Sequence, residues 1–134
     1  MTWRRLGIAL LVAISAVACG PSGSTVAPSS GSVVVTFEVN DERFKALLTE
    51  PADVDIARRL LAGDDVPSIP NGRVLRETGV NAGYSWSIDP ADIEFADVTI
   101  EACDGLPSDV EAGTISGDRY CPWSAVVVAI EPAP

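Results

Sequence analysis

Nineteen acidic residues, nine basic ones and no histidine set the chemistry open to this chain of 134 residues. The carboxylates gather in three places: Asp64-Asp65, the segment Asp89, Asp92 and Glu94, and Glu101 with Asp104. Such groups suit calcium, which takes about six to eight oxygen ligands. None follows the EF-hand spacing of alternating acids, a glycine and a distant glutamate. The plainer reading is helix N-terminal charge for Asp92 and Glu94 and simple exposure for Glu101. A carboxylate pair can also hydrolyse a glycosidic bond, with Asp89, Asp92 or Glu101 as the candidates. The missing histidine excludes His-based triads and most zinc sites. Lys45 is the single lysine, so it is the sole lysine that could activate a serine nucleophile. A small domain leaves little room for a cleft, and the expectation is a protein that is not an enzyme.

Aromatic residues offer a second kind of site. Trp86, Trp123, Tyr84 and Tyr120 could present a platform for a sugar or a peptide. Aromatic side chains also bury large areas in a small domain, and Trp86 is expected in the core. Trp123 follows Tyr120-Cys121-Pro122, which places it near a cysteine, and both roles stay open for it.

The N-terminus addresses the chain. Arg4 and Arg5 precede an apolar run over 6–14, and small residues then lead to Cys19. Ala16-Val17-Ala18-Cys19 resembles the lipobox of bacterial lipoproteins. In those proteins cleavage precedes the cysteine, which is then acylated. Ala18 and Gly20 fit that pattern, whereas Ala16 stands where leucine is commoner. An ordinary secretory signal cut after Ala18 is the alternative. An uncleaved membrane helix is disfavoured, because the apolar run is short for a bilayer core of about 30 Å. A cysteine at the cleavage point favours lipidation of Cys19, and with it a bacterial membrane anchor on the extracytoplasmic face.

Loss of residues 1–18 removes two arginines and no acid, leaving 7 basic and 19 acidic residues and a net charge of −12. Such a surface repels nucleic acid and anionic lipid headgroups. It suits an envelope protein or glycan partner, or cations. With Cys19 lipidated, Cys103 and Cys121 remain as one pair in a compartment that permits disulfides. Closing that loop stabilises by about 3 kcal/mol in the chain-entropy account.

These groups must be positioned by a single domain over 32–131, tethered by the Gly/Ser/Pro-rich segment 19–31. The tether's reach is about 20 Å. Val33, Val35, Phe37 and Val39 alternate as a strand, Asn40-Asp41 turns, and 44–48 forms a second strand or part of a helix from Asp41. Residues 51–62 predict a helix opened by Pro51 and stopped by Gly63, with Val54, Ala57 and Leu61, flanked by Ile56 and Leu60, in its buried stripe. A loop is expected over 64–72, a strand over 73–77 and a turn over 79–83. Tyr84, Trp86 and Ile88 alternate as a strand ended by Asp89-Pro90, and 91–95 suggests a helical turn. Ala96, Val98, Ile100 and Ala102 alternate in another strand. A long loop over 104–119 holds one helical turn at 108–112, and 123–130 reads as a central strand. The result is an α+β domain with a small, mostly antiparallel sheet of five or six strands, one main helix and one disulfide.

Several of these segments together resemble the BP-seventy-four N-terminal-domain family of small exported domains. The resemblance rests on Phe37-Glu38-Val39, the segment from Phe44 to Pro51, and Tyr84-Ser85-Trp86-Ser87-Ile88-Asp89-Pro90. It continues in Glu101-Ala102-Cys103-Asp104-Gly105, Val110-Glu111 and Cys121-Pro122-Trp123-Ser124. Ala102 departs from the valine common in the family. The resemblance covers 34–130, and it implies one domain and one disulfide but no activity. The residues themselves point to a non-enzymatic binding module using Trp123 and the 104–120 loop. A calcium-dependent adhesion or sensing domain and a small carboxylate hydrolase are the alternatives.

Overall fold

The computed structural model describes residues 31–134. Cys19 and the tether up to residue 30 lie outside the described residues. Strand β1 (Val33–Val39) and strand β2 (Glu42–Leu48) form a hairpin through the two-residue turn Asn40-Asp41. Asn40 has φ 54°, a left-handed conformation that asparagine tolerates better than most residues. The alternation in β1 sends Val33, Val35, Phe37 and Val39 to one face, opposite Leu48, Ala46 and Phe44 of β2. Helix α1 (Pro51–Leu61) packs on the same core, chiefly against strand β6 (Ala125–Pro132). Val54 and Ala57 are fully buried, but Leu61 is exposed. At 3.6 residues per turn, Leu60 rather than Leu61 continues the stripe before Gly63, at φ 87°, ends the turn.

The six strands divide into two three-stranded antiparallel sheets rather than one. The first has the order β2-β1-β6, so β1 is central and β6 lies at an edge, in contrast to the central position its sequence suggests. The second is built from β3 (Ile69–Leu75), β4 (Ser87–Ala96) and β5 (Arg119–Tyr120), in the order β4-β3-β5. Helix α2 (Pro107–Ala112) lies in the long connection, where one helical turn is expected, and a 3-10 turn spans Glu101–Cys103.

Strand β4 departs furthest from the periodicity. Its alternating prelude, Tyr84 to Trp86, precedes the strand, while Asp89-Pro90 and 91–95 lie within it. Pairing runs Val74↔Ile88 and then Gly72↔Ile93, so the residues around Pro90 bulge out of the ladder. Proline is tolerated there because β4 is an edge strand and the bulge needs no N–H donor. Gly72 faces the bulge. A Cβ at this position would collide with the Ile88 side chain and lie 2.9 Å from the Asp92 carbonyl oxygen. Strand β3 therefore starts inside the segment that composition marks as a loop.

An aromatic cluster joins the two sheets. Phe37 and Phe44 stack at 5.0 Å, and Phe44 meets Trp86 at 5.8 Å and Tyr120 at 5.3 Å. Trp86 and Tyr120 meet edge-on at 5.4 Å. Such pairs add about 0.5–1.5 kcal/mol beyond the area they bury. Buried Asn81 locks the arrangement from the turn at 79–83. Its side-chain oxygen accepts from the Lys45 backbone N–H at 2.9 Å, and its Nδ2 donates to the Trp86 carbonyl at 3.0 Å.

Candidate functional site

Strand β4 loses its partner at the pair Ile69↔Ala96, and the chain runs on through Asp97, Val98, Thr99 and Ile100 without a neighbour in the sheet. The expected strand over 96–102 therefore stops at Ala96. Its apolar residues face outward: Val98 is 84% exposed and Ile100 is 70% exposed. The 3-10 turn then brings Cys103 beneath them, and a disulfide joins it to Cys121 across a Cα–Cα distance of 5.1 Å. The Cys121 backbone N–H donates to the Cys103 carbonyl at 2.8 Å, so a backbone hydrogen bond doubles the covalent link.

This crossing carries Trp123. The Trp123 backbone N–H donates to Asp104 Oδ1 at 2.8 Å, and its indole Nε1 donates to Thr99 Oγ1 at 2.7 Å. The ring is thus held in place yet 47% exposed, whereas Trp86 is fully buried. Trp123, Val98, Asp97, Thr99 and Ile69 line a cavity of about 230 Å³. A neighbouring cavity of about 280 Å³ shares Val98 and Thr99 and extends to Ile100, Glu94 and Arg119. The result is a surface on which the held Trp123 ring and exposed Val98 share one cavity with Asp97, while Glu94 lines the next. It has the make-up of a recognition face: a desolvatable aromatic anchor with polar groups at the rim.

The other candidates take different positions. Tyr120 is buried, and its hydroxyl donates to the Gly105 carbonyl at 3.0 Å. Burial also pushes its ionisation well above the usual tyrosine range. Tyr84 packs against Trp86 at 5.5 Å, away from Trp123. The sequence places Trp86, Tyr120 and Trp123 in one candidate platform, and the structure leaves Trp123 alone on the surface.

Of the candidate carboxylates, Asp89 and Asp92 meet on Arg73, and the others stand apart from them. Asp92 accepts from Arg119 at 2.9 Å and Arg73 at 3.2 Å, and Asp89 lies 3.8 Å from Arg73. Asp64 pairs with Arg59 at 3.3 Å. Glu94 and Glu101 are exposed, and Asp104 holds the Trp123 backbone. Among the described residues, no three acidic or cysteine side chains converge on a point where a metal ion would sit.

The Arg119 hydrogen bond and charge, reinforced by Arg73, hold the Asp92 carboxyl below the usual carboxylate range. A carboxyl with a lowered folded-state pKa stabilises the fold above its unfolded pKa, about 3.9. That contribution is lost as pH falls through the folded value. In urea unfolding between neutral and acid pH, Asp92→Asn is therefore expected to lower stability at neutral pH. The gap to the parent should close below about pH 4. A gap independent of pH contradicts the ion pairing.

A larger cavity, about 390 Å³, lies elsewhere, lined by Thr36, Arg43, Lys45, Asn81 and Ala129 among others. Its cations are engaged: Arg43 pairs with Glu38 at 2.7 Å and Lys45 with Glu131 at 3.6 Å. Buried Asn81 spends both ends of its amide on the fold. The cavity is polar and carries no exposed aromatic.

Nothing among curated proteins and nothing among solved structures matches the chain. The family described as the BP-seventy-four N-terminal domain matches residues 31–134, which is every residue of the two sheets, both helices and the disulfide. With the match covering most of its length, the chain belongs to the BP-seventy-four N-terminal domain family.

Proposed function

We propose that this protein is an exported, lipid-anchored, non-enzymatic binding module of the bacterial cell envelope. It recognises a protein or glycan through the Trp123 face. The observation that carries the reading is the state of Trp123, which is half exposed yet fixed by Asp104, Thr99 and the nearby disulfide. A large apolar ring held rigid in water has no part in the core. It loses little conformational freedom on binding and is the residue type that dominates interface energetics. The absence of histidine and the engagement of Asp89 and Asp92 by Arg73 and Arg119 favour binding over turnover.

Trp123→Ala is expected to weaken partner binding by about 2 kcal/mol or more, the scale of a central aromatic anchor. The same change should move the melting temperature by only a few degrees. Equal affinity of parent and variant for every partner rejects this surface.

The location rests on the segment ending at Cys19. Among the described residues no helix is long and apolar enough to cross a membrane. A lipid on Cys19 supplies the anchor, and 19–31 lifts the domain clear of the headgroups. Cys19→Ser should move the protein from the membrane fraction to the soluble one. Persistent membrane association of that variant contradicts the lipid anchor.

A further inference from the structure

We infer that the Trp123 face takes an extended polypeptide segment in which basic and apolar side chains alternate. The inference rests on the reading that this face binds, and it adds the class of partner. Three observations lead to it.

The first is backbone. Past Ala96 the chain has no strand beside it, and Ile100 has extended dihedrals of φ −80° and ψ 146°. Among the described residues, no backbone N–H of 97–100 donates to another backbone group. The chain bends at Asp97, and backbone beyond it with unused donors is a template for an added strand. The second is shape. Val98 and Thr99 stand between the two cavities, one under Trp123 and one beside Ile100, so successive apolar side chains of a strand have separate places to enter.

The third is charge. Asp97 and Glu101 bracket the run, and Glu94 lines the second cavity. None of the three has an ion-pair partner among the described residues. Arg119 is the one cation among the described residues lining either cavity, and it is held by Asp92 and Asn71. Lysine or arginine flanking an apolar residue therefore meets unpaired carboxylates, and the net negative charge steers such a segment inward. A neutral sugar finds less here, because the Trp123 indole N–H is already spent on Thr99.

The test uses the full chain and three probes: the peptide acetyl-Lys-Leu-Lys-Val-Lys-Leu-Lys-amide, its counterpart with glutamate for lysine, and cellohexaose. Binding is measured by calorimetry. Emission of the chain minus that of Trp123→Phe isolates Trp123. The expected result is saturable binding of the lysine peptide with a blue shift of Trp123, and none with the glutamate peptide. Affinity should fall about tenfold in Asp97→Asn/Glu101→Gln, the scale of two partly exposed ion pairs. Equal behaviour of the two peptides, or no response to the lysine peptide, overturns the inference. A Trp123 response to cellohexaose alone overturns the peptide while keeping the face. Lysine-peptide binding that is undiminished in Trp123→Ala overturns both.

Discussion

Trp86→Ala is expected to destabilise the domain by about 3–5 kcal/mol, the range for deleting a large buried aromatic. Trp86 is fully buried and touches the rings of Phe44, Tyr84 and Tyr120, so it sits where the two sheets meet. Removal opens a cavity that neither sheet can fill without giving up its own register. Domains of this size hold about 5–15 kcal/mol in total, so the variant should lie near the edge of folding. Trp86→Phe separates packing from polarity. The Trp86 Nε1 is buried and has no hydrogen-bond partner, so phenylalanine removes an orphaned donor along with some volume. Its cost should be well under half that of alanine. Urea unfolding checks both, and a phenylalanine cost equal to alanine's contradicts this account of the site.

The second large effect concerns the crossing beneath Trp123. Cys103→Ser/Cys121→Ser releases a loop with a sequence separation of 18 residues. The chain-entropy account assigns such a loop about 3 kcal/mol. For a domain of this size the melting temperature should fall by roughly 15 °C. Both cysteines are buried, so the serines add a desolvation cost to that figure. The proposed binding face should suffer as well. The disulfide ties the run carrying Thr99 and Asp104 to the one carrying Trp123, where Thr99 holds the ring and Asp104 the backbone N–H. Collisional quenching of Trp123 should therefore rise in the variant without the bridge, at temperatures where it is still folded. A melting shift of only a few degrees with unchanged quenching contradicts the role of the bridge.

Strand β1 and the main helix were legible because their signals are local, whereas 44–48 could be read as a strand or as part of a helix from Asp41. Alternation from Val33 to Val39 and the Pro51-to-Gly63 frame depend on nothing distant. Strand β4 was obscured by Pro90, which stops a central strand but is harmless in the bulge of an edge strand. The division into two sheets was invisible, since periodicity carries no information on partners. The apolar residues on both sides of β6 suggested a central strand, yet β1 pairs on both edges and takes that place. Val126 is left 59% exposed as a result.

The site itself was half legible. The sequence placed Trp123 beside a disulfide, and the structure shows both features. Its burial could not be read from the residue, because a contact 24 positions away, with Thr99, decides how the ring lies. The alternation of Ala96, Val98, Ile100 and Ala102 was a true signal with a different meaning. Those residues have the pattern of a strand, but β3 begins at Ile69, opposite Ala96, and supplies no partner beyond it. A strand pattern without a neighbour left Val98 and Ile100 in solvent, Val98 in the cavity that Trp123 lines.

The most direct measurement of the central claim is a ¹H–¹⁵N correlation map of the chain titrated with the lysine peptide. The prediction is that the Trp123 indole and the amides of 97–104 shift together and saturate, while Thr36, Lys45 and Ala129 around the larger polar cavity stay in place. Shifts gathered at that polar cavity, with the Trp123 indole unmoved, would contradict the claim that the Trp123 face is the binding surface.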